Sequence, residues 1–156
     1  RQSVRQYDGY VLDAAYRAAG FIVLATATRP VGGALSDRYG GAGVLLGALI
    51  AIGVGAIVTA FEPNFSTATV GFLTLAAALG VGNGAVFALV GRRVPAAQVG
   101  SVTGLVGAAG GLGGFMPPIV MGLVYQATGS YAIGLMLLSN VAFAGAVYTA
   151  WRLRPS

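Results

Sequence analysis

The sequence predicts an all-α membrane protein with five transmembrane helices. Three observations carry this expectation. Five stretches are apolar over about twenty residues, the length an α-helix needs to cross a hydrocarbon core ~30 Å thick. Charged residues are only 8% of the 156, against roughly 25% in an ordinary soluble domain. Each gap between the stretches carries turn chemistry. Nine basic and four acidic residues cannot cover the surface of a soluble fold of this length, which excludes the soluble globular and disordered classes.

The first span covers about residues 14–35 and ends at Ser36-Asp37-Arg38-Tyr39-Gly40-Gly41. Residues 1–13 are more polar and read as an extracytoplasmic loop or the end of a preceding segment. The chain opens on Arg1 rather than Met and shows no signal peptide, so it reads as a piece of something longer. The second span, about 43–61, stops at Glu62-Pro63-Asn64. The third, about 67–90, stops at Arg92-Arg93-Val94-Pro95, and the fourth, about 99–125, at Thr128-Gly129-Ser130. The fifth covers about 131–151. The links are short, so successive helices run antiparallel.

The arginines set the orientation, because basic residues gather on the cytoplasmic side. Arg38 lies in the first link, Arg92 and Arg93 in the third, and Arg152 and Arg154 in the tail. The second and fourth links have none. The first and third links and the C-terminus are therefore expected in the cytoplasm. On the outer side Arg1 and Arg5 are balanced by Asp8 and Asp13. The net charge of +5 is a topological signal and needs no nucleic-acid partner. Tyr16, Tyr125, Tyr131, Tyr148 and Trp151 sit near span ends, where aromatic rings anchor a helix at the interface.

Several chemistries are excluded. There is no Cys and no His, so the usual zinc, haem and iron–sulfur ligand sets are missing, and no metal or cofactor is expected. No acidic residue follows Glu62, which leaves paired-carboxylate catalysis almost nothing to work with; an enzyme is not expected. Gly80-x-Gly82-x-x-Ala85 mimics a dinucleotide fingerprint, but it lies inside a membrane helix and no acid follows it.

Two polar residues fall inside apolar spans. Arg29 lies eight residues before Asp37, or ~12 Å along the helix from the cytoplasmic link. An arginine at that depth costs at least ~2.5–3.5 kcal/mol on insertion scales and must face a partner or a wet cavity. It either snorkels or pairs structurally, or it binds an anion, for which a planar guanidinium offers forked donors. Pro30 follows it and loosens the helix, as in the binding-site helices of many transporters. Asn83 must hydrogen-bond to another helix or to a ligand.

Glycine is patterned. Gly100, Gly104, Gly107, Gly111 and Gly114 fall on one face of the fourth span, with Gly110 and Gly113 beside it. Another helix can approach such a face almost to backbone contact. Gly43/Gly47 and Gly80/Gly84 repeat the spacing. Pro117 and Pro118 are expected to interrupt the fourth helix and bend it. The pattern suits either a sliding or rocking helix or static close packing.

Gly33-Ala34-Leu35-Ser36-Asp37-Arg38-Tyr39-Gly40 resembles the G-x-x-x-D-R-x-G signature of the major facilitator superfamily, which sits in a cytoplasmic link. Gly80-Val81-Gly82-Asn83-Gly84-Ala85-Val86-Phe87 and the run from Gly107 to Pro118 look like the tenth and eleventh helices of its nitrate/nitrite transporters. Arg29-Pro30-Val31-Gly32-Gly33 likewise resembles the eighth helix. The resemblance covers about residues 14–154 and implies a partial C-terminal six-helix bundle, helices eight to twelve, in a bacterial inner membrane.

It further implies that Arg29 contacts nitrate or nitrite, with Asn83 and the glycines Gly107, Gly110, Gly111 and Gly114 around the anion. Gly33, Asp37, Arg38 and Gly40 would form a cytoplasmic gate, and Pro117 and Pro118 a hinge in a rocking helix. The site's other arginine and an aromatic contributor belong to a missing N-terminal half of the same transporter and to helix seven. Gly41 stands where the superfamily often has a basic residue. Two other readings stay open: a facilitator for another small solute or organic anion, and a truncated membrane fragment that does not transport.

Overall fold

The computed structural model describes residues 2–61 and 64–153. These form six α-helices and one 3-10 turn: α1 (Gln2–Ala27), α2 (Arg29–Tyr39), α3 (Gly41–Ala60), α4 (Phe65–Arg93), the turn Ala96–Gln98, α5 (Val99–Thr128) and α6 (Ala132–Arg152). Helices α1 and α2 are two parts of one crossing, so five segments are long and apolar enough to span a membrane. They are Ala15–Tyr39, Gly41–Ala60, Ser66–Arg93, Ala96–Thr128 and Ala132–Arg152. Glu62, Pro63, Arg154 and Arg1, invoked above for turn and topology, lie outside the described residues.

Local chemistry accounts for each boundary. The α1–α2 break falls at Thr28, because Pro30 has no N–H for the carbonyl of Thr26. The Thr28 hydroxyl instead donates to the carbonyls of Leu24 at 2.9 Å and Ala25 at 3.2 Å. Gly40 turns the chain from α2 into α3 at φ +87° and ψ 130°, a region open essentially to glycine alone. Asn64 caps α4, its Oδ1 accepting from the Thr67 N–H at 3.0 Å. Val94 ends α4 in extended backbone ahead of Pro95. Gly129, left-handed at φ +71°, closes α5, and its N–H donates to the Tyr125 carbonyl at 2.8 Å.

Two expectations need correction. Of the two alternatives for residues 1–13, a loop or the end of a preceding segment, the loop does not hold for residues 2–13, which are helical and continue into α1. Polarity marked them as non-membrane, but Gln and Arg are good helix formers and a helix can extend beyond the bilayer. Pro117 and Pro118 do not interrupt α5, which remains helical from Val99 to Thr128. The carbonyls that their rings crowd belong to residues four earlier, Gly113 and Gly114. Without side chains these can adjust, and the helix survives the loss of two donors.

The core lies between α3, α4 and α6 and is made of small residues. Ile52, Ala56, Leu75, Ala78 and Ala142 form its centre, with Phe21 of α1 packed against it. Among the described residues the largest fully buried side chain is only Ser36. Large apolar residues point outward instead, among them Leu105, Leu112, Leu123 and Val141. That inversion follows from the solvent: lipid tails are as apolar as leucine, so helices gain by approaching closely over small residues. Several hydroxyls within the spans satisfy themselves on their own helix, as when Thr59 donates to the Gly55 carbonyl at 2.8 Å, whereas the buried Ser36 Oγ has no partner among the described residues.

Candidate functional site

Helix α4 meets α2 and the end of α1 in backbone contact, and glycines make it. A Cβ added at Gly84 would fall onto the carbonyl of Arg29 and lie 2.9 Å from the nitrogen of Gly33. One at Gly80 would strike the Thr28 hydroxyl and the Ala25 carbonyl. One at Gly32 would strike the Val81 carbonyl. Backbones therefore touch around Arg29, beside the break that Pro30 makes.

A cavity of about 690 Å³ opens along this contact. Arg29, Gly33 and Asp37 line its α2 side, and Asn83, Phe87 and Arg92 stand on its α4 side. Residues 29, 33 and 37 are spaced by four, so they share one face of α2. Residues 83, 87 and 91 do the same on α4, with Arg92 beside them. Two facing stripes thus line a trough ~12 Å long, from mid-span to the link between α2 and α3.

The polar groups in this trough are two guanidiniums, one carboxylate and one amide. Arg29 is exposed into it, and no described residue pairs with its guanidinium. The Asn83 Oδ1 is buried without a hydrogen-bond partner among the described residues. Asn83 is part of the cavity wall, and an asparagine amide carries two N–H donors. At the other end Arg92 Nη2 donates to Asp37 Oδ1 at 3.1 Å and to the Asp37 carbonyl at 2.9 Å. A larger groove of about 800 Å³ between α2, α3 and α4 has no charged residue in its described wall.

Several of the expected site residues do not gather here. Arg38 does not join Asp37; its guanidinium lies 5.5 Å from the centre of its neighbour Tyr39's ring. Gly40 serves the turn. Gly107, Gly110, Gly111 and Gly114 line no cavity with Arg29: they are exposed, and an added Cβ would meet no described atom within 4 Å. The long helix α5 buries none of its residues among those described, and Pro117 and Pro118 lie on it away from the trough.

Arg92 is the residue that sequence reasoning missed, because its position in an arginine-bearing link explained it by topology alone. The available signal was helical spacing from Asn83 together with the need of Asp37 for a counter-ion.

Comparison with known proteins gives one family model and several curated relatives. Residues 7–156 match the family model described as Major Facilitator Superfamily. The chain is 49% identical over 152 residues to a probable nitrate/nitrite transporter, NarK2, of Mycobacterium tuberculosis, covering 95% of this chain and 38% of the relative. It is 44% identical over 139 residues to a nitrite extrusion protein of Bacillus subtilis, covering 89% of this chain and 35% of the relative. A probable nitrate transporter, NarT, of Staphylococcus aureus is 38% identical over 128 residues, 82% of this chain and 33% of the relative. The chain thus spans about a third of the length of these curated relatives. No solved structure matches it significantly.

Proposed function

The chain belongs to the Major Facilitator Superfamily, and from that premise we propose that it forms part of a nitrate/nitrite transporter in which Arg29 holds the anion. The observation that carries this reading is the trough itself. It contains two guanidiniums against a single carboxylate, and the deeper one has no partner among the described residues. A cavity of net positive charge inside an apolar bundle favours a small anion. The guanidinium plane suits a flat oxyanion, to which it can present two parallel N–H donors. Asn83 adds neutral donors at the same depth. The names of the relatives supply the substrate, nitrate or nitrite.

Transport proceeds by alternating access, with the site at the interface of two halves. The other half, absent from these 156 residues, supplies the second arginine. The exposed glycine face of α5 packs against it and rocks there, with Gly107, Gly110, Gly111 and Gly114 brought to the anion and Pro117-Pro118 as the hinge. Full-length transporter in proteoliposomes should take up labelled nitrate, with competition by nitrite and none by sulfate, a tetrahedral dianion. Uptake of an organic solute that nitrate does not inhibit would overturn the assignment.

The protein lies in the bacterial inner membrane with its C-terminus in the cytoplasm, a topology supported by the alternation of arginine-bearing links. Reporter fusions after Pro63 and Thr128 are expected to read as periplasmic, and those after Arg38, Arg93 and Ser156 as cytoplasmic. A cytoplasmic signal at Pro63 would reverse the arrangement.

A further inference from the structure

We propose that Arg92 is a second oxyanion-binding residue, at the cytoplasmic mouth of the Arg29 cavity, and that the transported anion replaces the Asp37 carboxylate there. The inference rests on the anion-transport reading above and adds a site to it. Arg29 and Arg92 line one cavity, and Asp37 is the only acidic group in its described wall. An anion that leaves Arg29 toward the cytoplasm therefore meets Arg92 next, ~12 Å on at 1.5 Å per helical residue.

The geometry of the ion pair is that of a replaceable ligand. A carboxylate is a planar O–C–O group with one negative charge, as nitrite is a planar O–N–O group with one negative charge. Nitrate presents the same edge with any two of its oxygens. Asp37 occupies only one nitrogen of the guanidinium: Nη2 serves both its Oδ1, at 3.1 Å, and its main-chain carbonyl, at 2.9 Å. A guanidinium has five N–H donors, and no described residue takes the others. An incoming anion can engage these before the carboxylate leaves. The pair is also wet, with side-chain exposures of 49% for Arg92 and 71% for Asp37, so water and salt weaken it. Once displaced, the Asp37 carboxylate stays tethered beside the anion and competes for Arg92 again, which favours release into the cytoplasm.

This role and a purely structural pair predict different signs. If the pair only holds α2 to α4, Asp37→Asn and Arg92→Gln break the same contact and shift transport in the same direction. If Asp37 competes with the anion for Arg92, the two substitutions act in opposite directions. The experiment is nitrate uptake by full-length protein in inside-out vesicles, where nitrate meets the cytoplasmic face. Asp37→Asn should lower the half-saturating nitrate concentration by about two- to five-fold, the range expected for an exposed pair. Arg92→Gln should raise it by at least as much, and the double variant should behave like Arg92→Gln. If Arg92→Gln does not reach the membrane, Arg92→Lys, which keeps the charge and loses the fork, must raise it too. Shifts of the same sign, or none, overturn the second site while leaving Arg29 as the anion residue. Absence of nitrate uptake by the unmodified protein would overturn both.

Discussion

Arg29→Lys in the full-length transporter is expected to reduce nitrate binding and uptake at limiting nitrate by roughly ten- to a hundred-fold. Nitrate is flat, singly charged and weakly hydrated, and a guanidinium meets it with two parallel donors in its own plane. An ammonium supplies the charge but not the fork. One charge-assisted hydrogen bond is worth ~1.5–3 kcal/mol, and each ~1.4 kcal/mol is a factor of ten in affinity. The substitution disturbs little else, since no described residue pairs with the Arg29 guanidinium. The insertion cost of the two cations is similar, so the variant should still reach the membrane. The measurement is uptake at matched membrane abundance. Near-normal uptake would make Arg29 a snorkelling or structural residue.

A comparably large loss is expected from Gly84→Ala, for a different reason. The new methyl would overlap the Arg29 carbonyl and stand 2.9 Å from the Gly33 nitrogen. Both are backbone atoms, so no rotamer change relieves the contact; α2 must move off α4. Overpacking of this kind costs typically ~1–3 kcal/mol, and here it also displaces the wall that presents Arg29. Gly47→Ala is the contrast, because its added Cβ meets no described atom within 4 Å. At an open helical position alanine is favoured over glycine by up to ~1 kcal/mol. Thermal denaturation of the purified transporter, with uptake measured in parallel, should show Gly84→Ala destabilised and impaired while Gly47→Ala is neutral or stabilised. Equal midpoints for the two variants would mean that α2 and α4 are not in backbone contact.

The contrast between these glycines shows how far a pattern can be read. Gly80/Gly84 and the stripe from Gly100 to Gly114 share the spacing of a close-packing face. Gly80 and Gly84 meet a neighbour's backbone, whereas the α5 stripe meets no described atom. A row of small residues states that a helix can come near and carries nothing about which one does. Asn83 follows the same logic: its depth demanded a partner, and only the packing of α4 against α2 put it in the wall of Arg29's cavity. Asp37 and Arg92 are 55 residues apart, and nothing in their local context pairs them.

The number of spans, and the distance of Arg29 along its helix from the following link, were determined by the sequence alone. They depend on the transfer of side chains between water and lipid, on turn residues such as Gly40, Asn64 and Gly129, and on a rise of ~1.5 Å per residue, all local quantities. The partner of each face was decided only by the tertiary structure. In a bilayer every apolar face is equally content against lipid, so the choice falls to backbone contact over Gly32 and Gly84. That contact sets the register of α2 on α4. The register places Arg29 across from Asn83 and Asp37 across from Arg92, and it makes two spans into one charged trough.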